Sequence, residues 1–454
     1  MSNLYHLLEI EENNRLWQTE IDNLHLWAAI RTTVLSTYLY RKFHHTKPHS
    51  RNTGIKSLLS PSKWGNYATF LRFLLSSEKY NALIFKDINT KIGDKDRIFG
   101  EYIRQLDNSL IFETNFTNHK VNDAYTEDML RAWILLHSRL RSFPEVQKQE
   151  IDKFASRVAS LFDMPDIQAE LAMRIRRFLG SYPSFYKFVK NRLLPRMDSR
   201  IAFVHAASYS NHYALIARVL HDAEVKVIEI QHGTIHNEHY AYQLPESCKE
   251  SNHPCHVYLP DVMLTFGEYW NSVAAVPYPC VTIGYPYLSQ IVEQATQKFP
   301  ETTTKFLVVS QGIVTEKMVA LTHQLAEKYP AENIIFKLHP SEINFKERYE
   351  SLNSIKNVRV IGQGNVYELI AQCEIVVGYS STVLYEALAF PEKRIFIEEN
   401  DSVDAPIGTY FTDADDLLKK LSNENAGYSD ITPDMFWSKN WEENLSAFLA
   451  SQPV

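Results

Sequence analysis

A histidine and a run of hydroxyls, each set at the end of a short apolar stretch, are the residues of this chain best placed to do chemistry. His339 and Pro340 follow Ile334-Ile335-Phe336-Lys337-Leu338, and Ser380, Ser381 and Thr382 follow Ile375-Val376-Val377-Gly378-Tyr379. Runs rich in β-branched residues that end abruptly in a polar cluster mark buried parallel strands delivering side chains to the rim of a sheet. In open α/β sheets the ligand lies beyond the carboxyl ends of the strands, so His339 and the hydroxyls are expected to share one crevice. Leu384, Ala387 and Leu388 then recur on one face of a helix. Ser or Thr at such a start accepts from the orphan backbone N–H groups, and those left over, with the helix dipole, attract an anion. Glu386, about one turn inside, is placed to accept from a pair of ribose hydroxyls, and His339 to donate to a phosphate oxygen. Gln311 and Gly312, in the turn after the strand at 306–309, join them where a phosphate approaches backbone. Singly, a capped helix, a solvated glutamate and a His-Pro turn are commonplace. As an ordered set they describe a pocket for a nucleotide mono- or diphosphate.

A second cluster stands earlier in the chain. Gln231, His232 and Gly233 end the strand at 225–230. Gly233 is expected to permit a tight turn that points backbone N–H groups outward. His232 at that rim is suited to act as a base, or to hold a carboxylate or phosphate when charged. The plainer alternative is a histidine hydrogen-bonded beneath the following loop, 235–244. That loop carries His236, Glu238, His239 and Tyr242 as candidate acceptor contacts, with Glu238 a second candidate base.

The elements that must position these residues alternate. Strands are expected at 201–205, 225–230, 262–267, 280–284, 306–309, 334–338, 358–361, 374–378 and 394–399, with helices at 213–220 and 315–329 between them. Such alternation argues for parallel sheets. Residues 1–80 and 127–197 read as largely helical, with a buried strand at 82–87 and a charged loop through Lys91, Asp94, Lys95, Asp96 and Arg97. The helix through Trp27 and Arg31, followed by the basic run from Arg41 to Lys47, would pack inside the domain or lie on an anionic membrane surface. The domains expected are 1–286, a polar linker at 287–304, 305–432, and a final helix within 433–454.

Whole-chain properties exclude several classes. At 454 residues, with 45% apolar and 22% charged residues, the chain is long enough for two globular α/β domains. A net charge of −7 argues against generic nucleic-acid binding. No stretch approaches the ~20 apolar residues that span a bilayer, and no signal peptide is evident, so a cytoplasmic protein is expected. The four cysteines form no disulfide framework. Cys248, His253 and Cys255, with His256 adjacent, invite a zinc reading, but a fourth ligand at standard spacing is missing, and no metal is expected. Neither GxGxxG nor a Walker A motif occurs, which disfavours NAD and FAD.

A His-Pro after one strand, then a Ser-Ser-Thr helix start with Glu386 on the helix, resembles the carboxy-terminal half of GT-B glycosyltransferases of bacterial capsule and lipopolysaccharide synthesis. Nearest in pattern are the CMP-sugar (sialyl- and Kdo-type) and CDP-glycerol transferase groups. The Gln-His-Gly turn at 231–233 is similar to that of the capsule-type enzymes. The resemblance implies two Rossmann-like domains facing a central cleft, with helical amino-terminal additions and a last helix returning to the first domain. In those families the His-Pro histidine and the Ser pair hold the donor phosphate, which carries over to His339, Ser380 and Ser381. It further implies metal-independent transfer of a CMP-linked acidic sugar to a glycan acceptor. The acceptor would lie near Gln231, His236 and His239, with His232 or Glu238 as base. The expected partners are thus a nucleotide sugar and an oligosaccharide, polysaccharide or lipid-linked glycan, with peripheral inner-membrane association open and no nucleic acid. The competing readings are a CDP-polyol phosphotransferase, a UDP- or GDP-hexose transferase, a sugar-nucleotide epimerase and a non-catalytic assembly scaffold. Only Lys337 supplies a basic residue before the His-Pro turn, which weighs against the polyol enzymes.

Overall fold

Short apolar runs pair edge to edge as the periodicity requires. The computed structural model describes residues 3–44, 70, 73–87, 91–92, 95–106, 108–114, 125–126, 130, 134, 142–312, 314–400 and 405–452. The basic run past residue 44 and Asp94 of the charged loop lie outside these. In the first sheet the strands are β1 (Ala82–Asp87), β2 (Ser109–Thr114), β3 (Tyr125–Thr126), β4 (Ile201–Val204), β5 (Lys226–Ile230), β6 (Val262–Thr265) and β7 (Cys280–Thr282). Their order is β7-β6-β5-β4-β1-β2-β3, and the pairings from β3 through to β6 are parallel.

A second sheet holds β8 (Thr304–Val309), β9 (Ile334–Lys337), β10 (Val358–Ile361), β11 (Cys373–Gly378), β12 (Arg394–Glu398) and β13 (Thr409–Phe411). Its order is β10-β9-β8-β11-β12-β13, parallel throughout. Each sheet reverses its winding beside its own first strand, β1 or β8, as in doubly wound α/β domains. On one face of the second sheet Phe306, Val308, Phe336, Ile375, Val377 and Phe396 alternate inward, as the two-residue period of a strand dictates. Met318, Leu321 and Leu325, at helical spacing, cover them. Each such large side chain contributes about 1.5–3 kcal/mol by leaving water.

The chain divides into two units, each assembled from separate segments of the sequence. The first comprises Met1–Thr265, Ala274–Val281 and Leu445–Val454, and the second Phe266–Val273 and Thr282–Asn444. Phe266–Val273 belongs to the second unit because Trp270 is fully buried there, its indole N–H donating to Phe436 O at 2.8 Å. Gly267 is required at this approach, since a Cβ would stand 2.3 Å from Met435 O. The stretch read as a linker is largely a helix, Pro286–Lys298, begun by a proline at a position where no N–H is needed. Leu288 and Ala295 are buried, and Lys298 pairs with Glu368 at 2.9 Å within the second unit.

At the amino terminus α1 (Asn3–Asn13) and α2 (Arg31–His44) converge on buried Glu11. Its Oε1 accepts from Trp17 Nε1 (2.7 Å), Trp27 Nε1 (2.9 Å) and Arg31 Nε (2.9 Å). Arg31 also donates to Tyr240 O (2.6 Å) and Gln243 O (3.0 Å), so this arginine is committed to fixing the histidine-rich loop. None of the described helices is long and apolar enough to cross a membrane.

Candidate functional site

In the second unit the winding reverses between β8 and β11, and the polar residues beyond these strands are joined. Gln311 Oε1, just past β8, accepts from Ser380 N (2.8 Å) and Ser380 Oγ (3.0 Å), just past β11. Its neighbour Ser310 faces the other way, Oγ donating to Glu342 Oε1 at 3.1 Å. Glu342 Oε2 in turn accepts the His339 N–H at 3.0 Å. Two adjacent residues just past the central strand therefore stitch the β11 tip to the β8 tip and the β8 tip to the β9 tip. The same buried carboxylate also accepts from Thr315 Oγ1 (2.9 Å) and Tyr349 OH (2.5 Å). His339 and Pro340 are exposed, and Ser380, Ser381 and Thr382 are half-buried, so the tips remain open to a ligand.

Ser381 caps the following helix, Thr382–Ala387, accepting from Val383 N at 3.3 Å. This helix is short, 6 residues, so hydroxyls and turn N–H groups, more than a long macrodipole, define the polarity here. Glu386 differs from its expected role. It is 4% exposed and accepts from Tyr367 OH at 3.1 Å, which ties two helices of the second unit together. Gly312 is exposed, and a Cβ there would make only ordinary contact with Glu342. Lys337, buried, donates to Leu338 O (2.8 Å) and Gly362 O (3.0 Å) and so ties β9 to β10; burial lowers its basicity. The cavity of about 430 Å³ beside that strand is lined by Leu338, Tyr349, Gly362 and Gln363 and includes neither Gln311 nor Ser380.

The first unit carries a second polar centre at the ends of β4 and β5. The His232 ring lies 4.5 Å from that of His205, past β4, and 5.6 Å from Tyr209. Its Nδ1 is 3.4 Å from Tyr242 OH and 3.9 Å from Glu229 Oε1. Burial holds the imidazole well below the usual histidine value, with His205, His239 and Arg97 adding to the effect. A neutral ring, 19% exposed, fits a proton acceptor and not a cationic anchor for a phosphate. His239, pushed down to about 3 by burial and then by His236, contacts Tyr209 OH through Nε2 at 3.0 Å.

Several expected roles here are revised. Gln231 is fully buried and its amide donates to Gly233 O at 2.8 Å, so it shapes the turn instead of reaching an acceptor. Gly233 has no positive φ, and a Cβ there would meet nothing within 4 Å; the backbone does not demand a glycine. Glu238 Oε2 accepts the Leu4 N–H at 3.3 Å, at the start of α1, where orphan helix donors need a partner. That contact makes it a helix cap. His236 Nδ1 accepts from Glu238 N at 3.3 Å.

Three residues that organise these centres had no role assigned from sequence: Glu342, Glu229 and His205. Glu342 had a legible signal, since a glutamate three residues after His339 reaches back to that residue's N–H as in a capping box. Glu229 had one too: a carboxylate inside an apolar strand is buried and must be partnered. It is fully buried and accepts from Ser208 N (2.8 Å), Ser208 Oγ and Tyr242 OH (2.7 Å). Burial pushes its carboxyl up to about 7 against the pull of those donors.

This shift has a sign that can be tested. A carboxyl whose folded value exceeds its unfolded one holds its proton more tightly when folded. Its contribution to stability is therefore greatest below the ordinary value of 4.5, declines as pH rises to about 7, and is constant above that. The decline is on the order of 3 kcal/mol. Chemical denaturation from pH 4.5 to 7 should show it in the parent and not in Glu229→Gln.

No protein-family model matches the sequence, and a search of curated proteins returns no match. Solved structures do match. A UDP-GlcNAc 2-epimerase from Neisseria meningitidis, bound to UDP-GlcNAc, is 12% identical over 82% of this chain and 100% of its own, with a TM-score of 0.50. A putative UDP-N-acetylglucosamine 2-epimerase from Listeria monocytogenes is 11% identical over 82% and 95%, with a TM-score of 0.46. The wall teichoic acid polymerase TagF is 11% identical over 93% and 92%, with a TM-score of 0.40. With the two parallel sheets, the first of these likenesses establishes the α/β, GT-B-type fold: two Rossmann-like domains with added amino-terminal helices.

Proposed function

We propose that this protein is a GT-B glycosyltransferase that moves a sugar from a nucleotide donor to a glycan acceptor. The observation that supports it most is the double stitch in the second unit, Ser380 to Gln311 and Ser310 through Glu342 to His339. It holds three neighbouring strand tips, with hydroxyls and an exposed imidazole, where doubly wound sheets take their ligands. The donor phosphate would be held by His339, Ser380, Ser381, Thr382 and the turn of Gln311 and Gly312. The leaving phosphate would be stabilised by these donors without a metal. His232, kept neutral, would take the proton of the attacking acceptor hydroxyl. His236 and His239 would border the acceptor. A CMP-linked acidic sugar is the preferred donor on the resemblance of the His-Pro and Ser-Ser motifs, and a surface polysaccharide the preferred product.

Calorimetric titration with CMP, CDP, UDP and GDP tests this directly. The cytidine nucleotides should bind most tightly, and His339→Ala and Ser380→Ala should each weaken binding about 10-fold, equivalent to about 1.4 kcal/mol. Binding of none of the four would overturn the proposal in favour of a scaffold. Conversion of a UDP-sugar in the absence of acceptor would replace it with an epimerase.

A further inference from the structure

The segment between β5 and β6 contains a stretch with almost nothing of its own to pack. From Glu246 to Val257 the only buried residues are Cys248 and Cys255. Regular structure is limited to two single 3-10 turns, Glu246–Lys249 and His256–Tyr258. The backbone otherwise closes on itself through short turns, such as His253 N to Glu250 O (2.9 Å) and Tyr258 N to Cys255 O (2.9 Å). Folding such a stretch costs about 1–2 kcal/mol per residue in backbone entropy. Two small thiols offset little of that as hydrophobes.

Those thiols converge with a third group. Both are free, and one ligand atom from each of Cys248, His253 and Cys255 lies within 4.8 Å of the other two. The Trp17 ring stands edge-on to the His253 ring, with centroids 6.0 Å apart. A zinc ion bonds thiolate sulfur at about 2.3 Å and imidazole nitrogen at about 2.0–2.1 Å, which sets tetrahedral ligand atoms about 3.5–3.8 Å apart. The cluster, with all three ligand atoms inside 4.8 Å, needs at most a small contraction to reach that size. The same three residues invite a zinc reading by their spacing, set aside there for want of a fourth protein ligand; the fold brings their ligand atoms together.

We propose that Cys248, His253 and Cys255 bind a zinc ion that pins this stretch, with water as the fourth ligand. Binding exchanges the two S–H protons, released to solvent, for Zn–S bonds. His253 is half-buried, leaving a side from which water can complete the tetrahedron. His256 is not among the residues whose ligand atoms converge, and its Nε2 contacts Glu250 O at 2.9 Å. The Cys255 N–H now reaches His253 Nδ1 at 3.3 Å, a long contact that ligation through either ring nitrogen would give up. The ion takes no part in the transfer proposed above, so this inference stands independently of it.

The test uses the full chain, reduced, incubated with zinc chloride and desalted, then measured by elemental analysis and thiol titration. Zinc should be retained at one per chain, with Cys248 and Cys255 protected from thiol reagents. Replacement by cobalt should give a thiolate-to-metal absorption band in the near ultraviolet. His253→Ala should weaken retention by more than the ~10–100-fold typical of losing an outer partner of a ligand, and Cys248→Ser should abolish the cobalt band. A parent protein that is folded by circular dichroism, yet keeps no zinc and gives no thiolate–cobalt band, overturns the proposal. So does mass spectrometry showing Cys248 and Cys255 joined as a disulfide in protein that takes up no metal.

Discussion

Glu342→Ala is expected to lower the unfolding free energy by roughly 3–5 kcal/mol, because several buried donors lose their acceptor at about 1–3 kcal/mol each. Those donors are the hydroxyls of Ser310, Thr315 and Tyr349 and the His339 N–H. Rotation of the two smaller hydroxyls towards other acceptors recovers part of the loss, which is why the sum stays below the maximum. Glu342→Gln keeps one accepting oxygen and should cost only about 1 kcal/mol, the net worth of an ordinary hydrogen bond. Denaturant titration of both variants separates the loss of the acceptor from the loss of charge. Because the carboxylate spans the β8 and β9 tips, the alanine variant should also lose nucleotide binding, including in whatever fraction remains folded. Unchanged stability in Glu342→Ala would mean that the stitch is not what holds the turn.

The second large effect lies in the other unit. For the proposed transfer, His232→Ala should reduce turnover by about 10²–10⁴-fold, the span commonly lost with a general base, and leave nucleotide affinity unchanged. Initial rates at saturating donor, paired with calorimetry, read the two quantities apart. The pH profile carries a sharper signature. Burial holds His232 well below the ordinary 6.5, so the parent rate should not fall on acidification through that value, only further down. An acid limb centred near 6.5 would assign the proton to some other group. Glu238→Ala, by contrast, should cost α1 a cap and leave the rate in folded protein unaltered, since that carboxylate accepts from Leu4 N.

Much of this was legible in the residues, for a clear reason. Buried parallel strands must be apolar on both faces and must stop where the sheet stops, so β4, β5, β8, β9 and β11 announce both their bodies and their tips. Ser380, Gln311 and His339 fall at those tips; Ser380 and Gln311 are hydrogen-bonded to each other, and the His339 N–H is held by Glu342. Side-chain bookkeeping was not legible. Glu386 sits where a ribose contact is expected, yet it is turned inward to Tyr367, because a buried tyrosine hydroxyl needs an acceptor and that demand is invisible without coordinates. Gln231 is similar, its amide satisfying the carbonyl two residues on. The polar stretch at 287–304 reads equally as a linker or a helix, because a one-sided helix with Leu288 and Ala295 turned in carries as few apolar positions as a loop.

The division of the chain also bears on how it can be dissected. Trp270 reaches its slot against Phe436 from a point in the sequence that precedes Ala274–Val281, a return to the first unit, while Leu445–Val454 comes back to the first unit at the end. A fragment begun at residue 286 would therefore lack an indole that its interior is shaped around, and one ended there would lack its closing helix. Neither half should be obtainable as a soluble, cooperatively melting piece by a single cut, whereas a permuted chain that keeps both returning segments attached to their proper halves should survive.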